Sequence, residues 1–139
     1  MGVLLDMAVL IAAERGRFDM PGYLASLGEA PVALAAITAS ELLHGVERAR
    51  DAAVRARRAA FVEGVLANVP VIPFGLAEAR AHARVWAALA VAGAPVGPHD
   101  LLVAATALAA GSAVATLNDA EFRRVPGLVL APVAAFVRG

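Results

Sequence analysis

The chain has 139 residues, 60% of them apolar and 17% charged, and its formal net charge is zero. This length fits one domain with one sizeable core, so we expect residues 1–139 to form a single domain. A neutral chain lacks the overall basic field that attracts nucleic acid, so any such binding requires a local patch. All 12 basic residues are arginines, which suit bidentate contacts with phosphate or carboxylate, although a compositional bias explains their excess equally well.

Further features of the sequence bear on location and assembly. The absence of cysteine excludes disulfides, thiolate metal sites and a cysteine nucleophile. The first apolar run contains Asp6 and follows no basic region, so it is unlike a secretory signal. The longest uncharged run, Leu101 to Asn118, is shorter than the ~20 apolar residues of a membrane span. We therefore expect a cytoplasmic protein without a membrane segment, and the apolar surplus predicts a homodimer contact.

Short apolar runs alternate with helical patterns in the first half of the chain. In order, the pattern predicts a strand over 3–6, helices over 7–15 and 21–28, a strand over 32–37, a helix from Thr38 and a long helix over 47–69. Thr38 and Glu41 have the spacing of a capping box, in which the first residue caps the helix and the second binds back to it. The two longer helices are expected to pack antiparallel. Arginines cluster around the turn between them at Arg48, Arg50, Arg55, Arg57 and Arg58.

The second half continues the alternation. The pattern predicts a strand over 69–74, a helix over 76–92, a second helix over 97–110, a strand over 113–116 and a last strand over 128–130. Two prolines confine the strand over 69–74 to a short or edge position. Trp86 lies on the apolar stripe of its helix and is expected in the core, and the helix over 97–110 is apolar on every side beyond its first turn. The alternation predicts an α/β fold, with a central parallel sheet of four to five strands covered by helices on both faces.

Acidic and amide side chains follow several of the predicted strands. Asp6 follows the first strand, Glu41 lies in the first turn after the second, and Asp100 lies in the first turn of the apolar helix. Asn118 and Asp119 follow the strand over 113–116. The carboxyl ends of parallel strands share one edge of a sheet, where such folds bind ligands, so these side chains are expected to meet. Each also has a local explanation, because acids cap helices and are favoured in their first turns.

Carboxylates crowded at one edge must bind protons or a cation. Two unit charges ~4 Å apart repel by about 4 kcal/mol at an effective dielectric constant of 20. Oxygen ligands without thiolates favour Mg²⁺ or Mn²⁺ over zinc. The histidines, His44, His82 and His99, are more typical of surface or capping residues than of ligands. No glycine-rich phosphate loop follows a strand, which argues against a nucleotide-binding domain.

Four segments, LLDMAVLI, ITASELLHGVERA, GAPVGPHDLLVAATAL and VATLNDAEFRRVPGL, resemble the motifs of PIN-domain ribonucleases, specifically the VapC-type toxins of bacterial toxin–antitoxin pairs. The segments span almost the whole chain in the family's order. The resemblance implies a three-layer α/β/α domain and an endoribonuclease that cleaves RNA phosphodiester bonds with Mg²⁺ or Mn²⁺. Its acids would be Asp6, Glu41 and Asp100, with Asp6 and Asp100 as direct metal ligands.

The resemblance leaves the fourth position of the site open. The family has Asn or Asp two residues after the threonine, which here is Asn118, and Asp119 or Glu121 could supply the charge there. We name Asp119 as the fourth catalytic acid and Asn118 as a further ligand. Thr116 and Ser40 are implied to position the ligands.

The resemblance also implies partners. These are an RNA substrate, such as tRNA or another structured RNA, and a cognate VapB-type antitoxin. The antitoxin would lie in a groove near the helices after Asp6 and Glu41 and bring a basic side chain into the acidic pocket. Two alternatives stay open: a PIN-related DNA nuclease, against which the small size argues, and a PIN-like binding module with impaired catalysis. Met7 favours the second, because the family usually has threonine or serine there.

Overall fold

Four short parallel strands form the central sheet of the computed structural model, which describes residues 1–139. The strands are β1 (Val3–Leu5), β2 (Val32–Ala35), β3 (Val71–Ile72) and β4 (Ala113–Ala115). Their order across the sheet is β3-β2-β1-β4, and all three pairings are parallel. The expected α/β fold with a parallel sheet of four to five strands is confirmed, with four.

Seven α-helices and one short 3₁₀ helix connect the strands and follow them. They are α1 (Met7–Glu14), α2 (Met20–Ser26), α3 (Ala36–Glu47), α4 (Ala52–Asn68), α5 (Leu76–Ala92), α6 (Pro98–Ala110), α7 (Asp119–Phe122) and the 3₁₀ helix Ala134–Phe136. The start of α6 uses Pro98, whose missing N–H costs nothing in a first turn, and Gly111 ends the helix at φ +65°. None of these helices combines the length and the apolar character needed to cross a bilayer.

The side chains of β1 alternate between the two faces of the sheet, and the core accordingly consists of two clusters, one on each face. Val3 and Leu5 pack with side chains of α1, α2, α3 and α4, whereas Leu4 packs with those of α5, α6 and α7. Successive residues of a strand point to opposite faces, so a strand buried on both sides must be apolar throughout. This arrangement gives the three layers, helices on each side of one sheet.

The strand order creates a crevice between β1 and β4. From β1 the chain moves outward through β2 to β3, and it then returns to the other side of β1 to form β4. Such a reversal leaves room beyond the carboxyl ends of the two strands, because the connections on either side run in opposite directions. Asp6 follows β1 and Thr116 follows β4, so both lie at this crevice.

The predicted last strand over 128–130 is wrong. The segment forms only one bridge, between Val114 and Leu130, with backbone hydrogen bonds from Val114 to Val129 and from Ala131 to Val114. A turn containing Gly127 comes just before the segment and Pro132, which has no N–H to donate, comes just after it, which leaves no room for a longer ladder. The segment instead covers the open edge of β4.

The predicted burial of Trp86 is also wrong, since its side chain is 61% exposed. The buried residues of α5 are Ala81, Val85 and Leu89, which recur every four residues. Trp86 follows Val85 by one residue and therefore points about 100° away from this stripe. It stacks against His82, which in turn packs against Phe74, on the outer side of α5.

Candidate functional site

Two polar side chains meet where β1 and β4 end. The hydroxyl of Thr116 donates a hydrogen bond to the Oδ2 of Asp6 at 2.7 Å, and both residues are buried. The backbone N–H of Asp6 also donates to the carbonyl of Ala115 at 2.9 Å. The two central strands therefore hold the Asp6 carboxylate in place through its backbone and its side chain.

The Asp6 side chain does not cap α1, although the residue occupies the N-cap position. Burial raises the pKa of the Asp6 carboxyl, while the Thr116 hydroxyl and the nearby N–H groups of Met7 and Ala8 act in the opposite direction. A buried carboxylate is costly unless it is paired. Asp6 is therefore a buried acid whose side-chain partner is Thr116, and its assignment as a metal ligand stays a prediction.

Asp100 lies in the first turn of α6 and belongs to the same acidic site. Burial raises the pKa of its carboxyl to about 7, helped by a hydrogen bond to Glu121 and by the negative charges of Asp6, Glu121 and Glu41. Burial is the largest cause, and the charges of the neighbouring acids add to it because they lie close enough to act on Asp100. The expected meeting of Asp6, Glu41 and Asp100 at one edge of the sheet agrees with this electrostatic contact.

Glu41 reaches the site from the interior of α3 rather than from its first turn. The predicted capping box is wrong, because α3 begins at Ala36 and places Thr38 inside the helix, where its buried hydroxyl has no hydrogen-bond partner. The Glu41 carboxylate instead contacts the Nδ1 of His99 at 3.4 Å. His99 precedes Asp100, so α3 and α6 approach each other through this pair. Sequence spacing gave no signal for the contact.

Asn118 and Glu121, two of the candidates for the fourth position, lie beside Asp100. The Nδ2 of Asn118 lies 3.4 Å from the Oδ2 of Asp100 and 3.3 Å from the Oε2 of Glu121, within reach of a hydrogen bond to each. The Asn118 backbone N–H donates to the Thr116 hydroxyl at 2.9 Å, which links this group to Asp6. Asn118 therefore links Asp100 of α6 and Glu121 of α7 to Thr116 at the end of β4.

Asp119 is turned away from this group. Its carboxylate forms an ion pair with Arg123 at 2.7 Å, one helical turn further on, and the pair is at least half exposed. No hydrogen bond or ion pair joins Asp119 to Asp6 or Asp100. Its assignment as the fourth acid stays a prediction, and Glu121 is the acid that contacts Asn118.

The remaining residues singled out from the sequence lie further from the acids. Ser40 is exposed on α3 and makes no side-chain hydrogen bond, so its positioning role stays a prediction. His44 is exposed near the end of α3, and His82 belongs to the aromatic stack on α5. Met7 lines a groove beside Glu41 rather than contacting Asp6 through a polar group.

The donor set of the site suits a hard divalent cation. No three of its carboxylate and imidazole groups converge closely enough to form a complete coordination shell. Mg²⁺ does not require one, because it keeps several waters and binds through one or two carboxylates. Asp6 and Asp100 carry oxygen atoms of the kind that Mg²⁺ binds, and their role as its ligands stays a prediction.

A groove of about 80 Å³ runs from the acidic site along α1, α3 and α4. Its walls combine apolar side chains, including Met7 and Phe61, with Glu41 at the acidic end. Three arginines, Arg15, Arg48 and Arg58, also line it, and Arg58 donates to the carbonyl of Gly45 at 3.2 Å. The groove therefore offers cationic and apolar surface directly beside the carboxylates.

The geometry agrees with comparisons to known proteins. The family model of the PIN domain matches residues 3–128. Ribonuclease VapC1 of Rickettsia felis is 34% identical over 135 residues, which cover 97% of this chain and 98% of that protein. The tRNA(fMet)-specific endonuclease VapC of Shigella flexneri is 32% identical, over 84% of this chain and 81% of its own.

A solved structure supports the same assignment. In the crystal structure of DNA-bound VapBC from Salmonella typhimurium, the matching chain superposes with a TM-score of 0.85 and is 27% identical. The superposition covers 94% of this chain and 97% of that one. The family match, the identity over nearly full length and the shared fold all agree. The chain belongs to the PIN-domain family and, within it, to the VapC ribonucleases.

Proposed function

We propose that this chain is a metal-dependent endoribonuclease toxin that cleaves RNA phosphodiester bonds and is neutralised by a cognate antitoxin. The observation that carries the proposal is the chain of hydrogen bonds from Asp6 through Thr116 and Asn118 to Asp100, which joins two acids beyond the carboxyl ends of β1 and β4. Relatives named as ribonucleases and as tRNA endonucleases support the reaction class.

The residues take distinct roles in this proposal. Asp6 and Asp100 would hold Mg²⁺ or Mn²⁺, and Glu41 would complete the site directly or through water. Such a cation, when bound, lowers the pKa of a water and neutralises charge on the attacked phosphate. The Thr116 hydroxyl keeps the Asp6 carboxylate oriented, and the Asn118 amide reaches the Asp100 carboxylate. These contacts hold the Asp6 and Asp100 carboxylates in position before the substrate binds, so the site does not have to rearrange during the reaction.

The substrate class follows from the groove and from the relatives. Arg15 and Arg48 line the groove, and neither forms an ion pair. Guanidinium groups bind phosphate oxygens well, so the phosphates flanking a cleaved bond fit along this wall. A structured RNA such as tRNA is the proposed substrate, by analogy with the Shigella flexneri relative. We also propose a cytoplasmic location, which suits an RNA substrate such as tRNA.

An antitoxin segment suits the same groove. Its apolar wall, which includes Met7, Ile11 and Phe61, accepts apolar side chains of an inserted segment. The carboxylates at its end attract a basic side chain, and arginine pairs with carboxylates bidentately. Such a segment would block RNA from the groove and would also bind the carboxylates. One partner would thus neutralise the enzyme in both ways.

The predicted homodimer has a candidate surface on α5. Leu76, Trp86 and Val91 are 68%, 61% and 91% exposed, respectively, on this helix. Trp86 also lines an apolar cleft of about 640 Å³ between α5 and α6. In a two-fold contact the same patch of both copies meets, so one exposed apolar face can supply both sides of the interface. We propose that a second copy of the chain covers this face.

Substitution of Asp100 by asparagine tests the enzymatic function. Asp100→Asn removes an anionic ligand while keeping size and polarity, so we expect cleavage of tRNA to fall by orders of magnitude. The parent should be stabilised more than the variant by added Mn²⁺, because only the intact site binds the cation well. The measurements are cleavage of labelled tRNA, and melting temperature with and without Mn²⁺.

Asp51→Asn is the matched control, since Asp51 also stands at a helix start but caps α4 through the N–H of Val54 at 3.0 Å. Asparagine caps nearly as well, so this variant should match the parent in both assays. Equal cleavage and equal Mn²⁺ shifts in Asp100→Asn and the parent would refute the metal-site assignment. Cleavage of DNA but not RNA would favour a DNA nuclease, and a parent without cleavage would favour a binding module.

A further inference from the structure

We propose that Glu121 is a positioning residue that fastens the loop before α6 and thereby sets the position of Asp100, and that its charge does not serve as a metal ligand. This inference rests on the proposed function of the Asp100 site. It decides between the acids that the sequence left open for the fourth position.

The first observation is a contact between α7 and the N-cap of α6. The Oε1 of Glu121 accepts a hydrogen bond from the backbone N–H of Gly97 at 2.5 Å, across 24 residues of sequence. Gly97 is the residue from which α6 begins, and Asp100 follows within the first turn. A bond to Gly97 therefore fixes where this turn starts.

A second bond from the same region holds the same loop. The Nη1 of Arg124 donates to the carbonyl of Pro95 at 2.6 Å. Residues 94–97 form neither helix nor strand, so these two bonds take the place of regular structure there.

The second oxygen of Glu121 is also engaged. Its Oε2 lies 3.3 Å from the Asn118 Nδ2, which in turn lies 3.4 Å from the Asp100 Oδ2. Each primary amide carries two N–H donors, so one Asn118 side chain serves both carboxylates. Both Glu121 oxygens thus accept from N–H groups that locate Asp100, and coordination of a cation would compete with these bonds.

Two substitutions of Glu121 separate positioning from metal binding. Glu121→Gln keeps a carbonyl oxygen at the right length to accept the Gly97 N–H, and Glu121→Ala removes it. We expect the Gln variant to retain kcat within about fivefold of the parent and the Ala variant to lose about tenfold or more, as for an interaction that orients a catalytic group. Mn²⁺ affinity, measured by titration, should stay within about threefold in both.

Hydrogen exchange of the Gly97 amide supplies a readout that does not depend on activity. This amide should be protected in the parent and in Glu121→Gln, and it should exchange faster in Glu121→Ala. Glu63→Gln, which changes an exposed carboxylate on α4, is the matched control and should leave kcat and exchange unchanged. If the parent does not cleave RNA, the proposed function fails. The exchange data still show whether Glu121 holds the Gly97 amide.

Two results would overturn the inference. One is that Glu121→Gln and Glu121→Ala lose kcat equally and lose Mn²⁺ affinity equally. Both variants lack the negative charge that a metal ligand needs, whereas only Glu121→Ala lacks the oxygen that accepts the Gly97 N–H. The other is an unprotected Gly97 amide in the parent. Arg124→Ala adds a further check, since loss of the Pro95 bond should also lower kcat while Mn²⁺ affinity stays near that of the parent.

Discussion

Thr116 and Asp6 are 110 residues apart in sequence, and a hydrogen bond of 2.7 Å joins the Thr116 Oγ1 to the Asp6 Oδ2. Both side chains are only 4% exposed. The bond exists because β1 and β4 are neighbours in the sheet and end at the same level. A buried carboxylate with one side-chain donor is sensitive to the loss of that donor.

Thr116→Val should therefore weaken both the fold and the activity. Valine matches the shape of threonine but leaves the Asp6 carboxylate without its donor, which costs about 1–3 kcal/mol. We expect a lower free energy of unfolding in urea at neutral pH without metal, together with slower RNA cleavage. Thr116→Ser keeps the hydroxyl and should stay closer to the parent. Parent-like stability and cleavage in the valine variant would contradict the role given to this bond.

The pKa of Asp100 predicts how stability without metal depends on pH. The folded chain keeps the Asp100 proton up to about pH 7, whereas the carboxyl has an ordinary pKa of 3.8 in the unfolded chain. Unfolding releases this proton between the two values, so the free energy of unfolding should fall as pH rises from about 4 to about 7 and then level off.

Asp100→Asn should reduce this fall. Urea unfolding of the parent and the variant at about pH 5 and about pH 8 without metal measures the difference. A shallower decrease should remain in the variant, because burial also raises the pKa of Asp6. An identical decrease in both proteins would show that Asp100 is not the group that titrates.

Arg48 should contribute to RNA binding through the groove. We expect Arg48→Ala, in an Asp100→Asn background that prevents cleavage, to weaken tRNA binding several-fold. The slope of log affinity against log salt should become shallower by up to about 0.9, because one phosphate contact is lost. Arg57 is exposed on α4 and does not line the groove, so Arg57→Ala is the matched control. Equal losses in both variants would indicate a diffuse charge effect.

Trp86 gives a direct test of the homodimer surface, because it is the only tryptophan of the chain. Its fluorescence should shift to shorter wavelength as the protein concentration rises and a second copy covers it. Val91→Asp should prevent this shift and give a monomer in light scattering, since an acid would enter an apolar contact. Val129→Asp changes a valine that is 46% exposed on the segment beside β4 and should leave the dimer intact. A parent that stays monomeric at tens of micromolar would refute the surface.

Local pattern was enough to predict most elements of the fold. The apolar runs of β1 and β2, the prolines that limit β3 and the apolar surface of α6 all depend on neighbours in sequence. The same pattern placed Asp6 and Asp100 at the start of helices, at the edge of the sheet where ligands bind. These features are recoverable because periodicity and turn chemistry act over a few residues.

The sequence pattern did not reveal contacts between distant parts of the chain. The pairing of β1 with β4 brings Thr116 to Asp6, and the docking of α7 brings Glu121 to Gly97 while Asp119 pairs with Arg123. The residue at which α3 begins and the exposure of Trp86 also depend on packing, because packing decides which face of each helix is buried. Such contacts follow from packing between elements that no local spacing encodes, so only the folded chain decides which side chains meet.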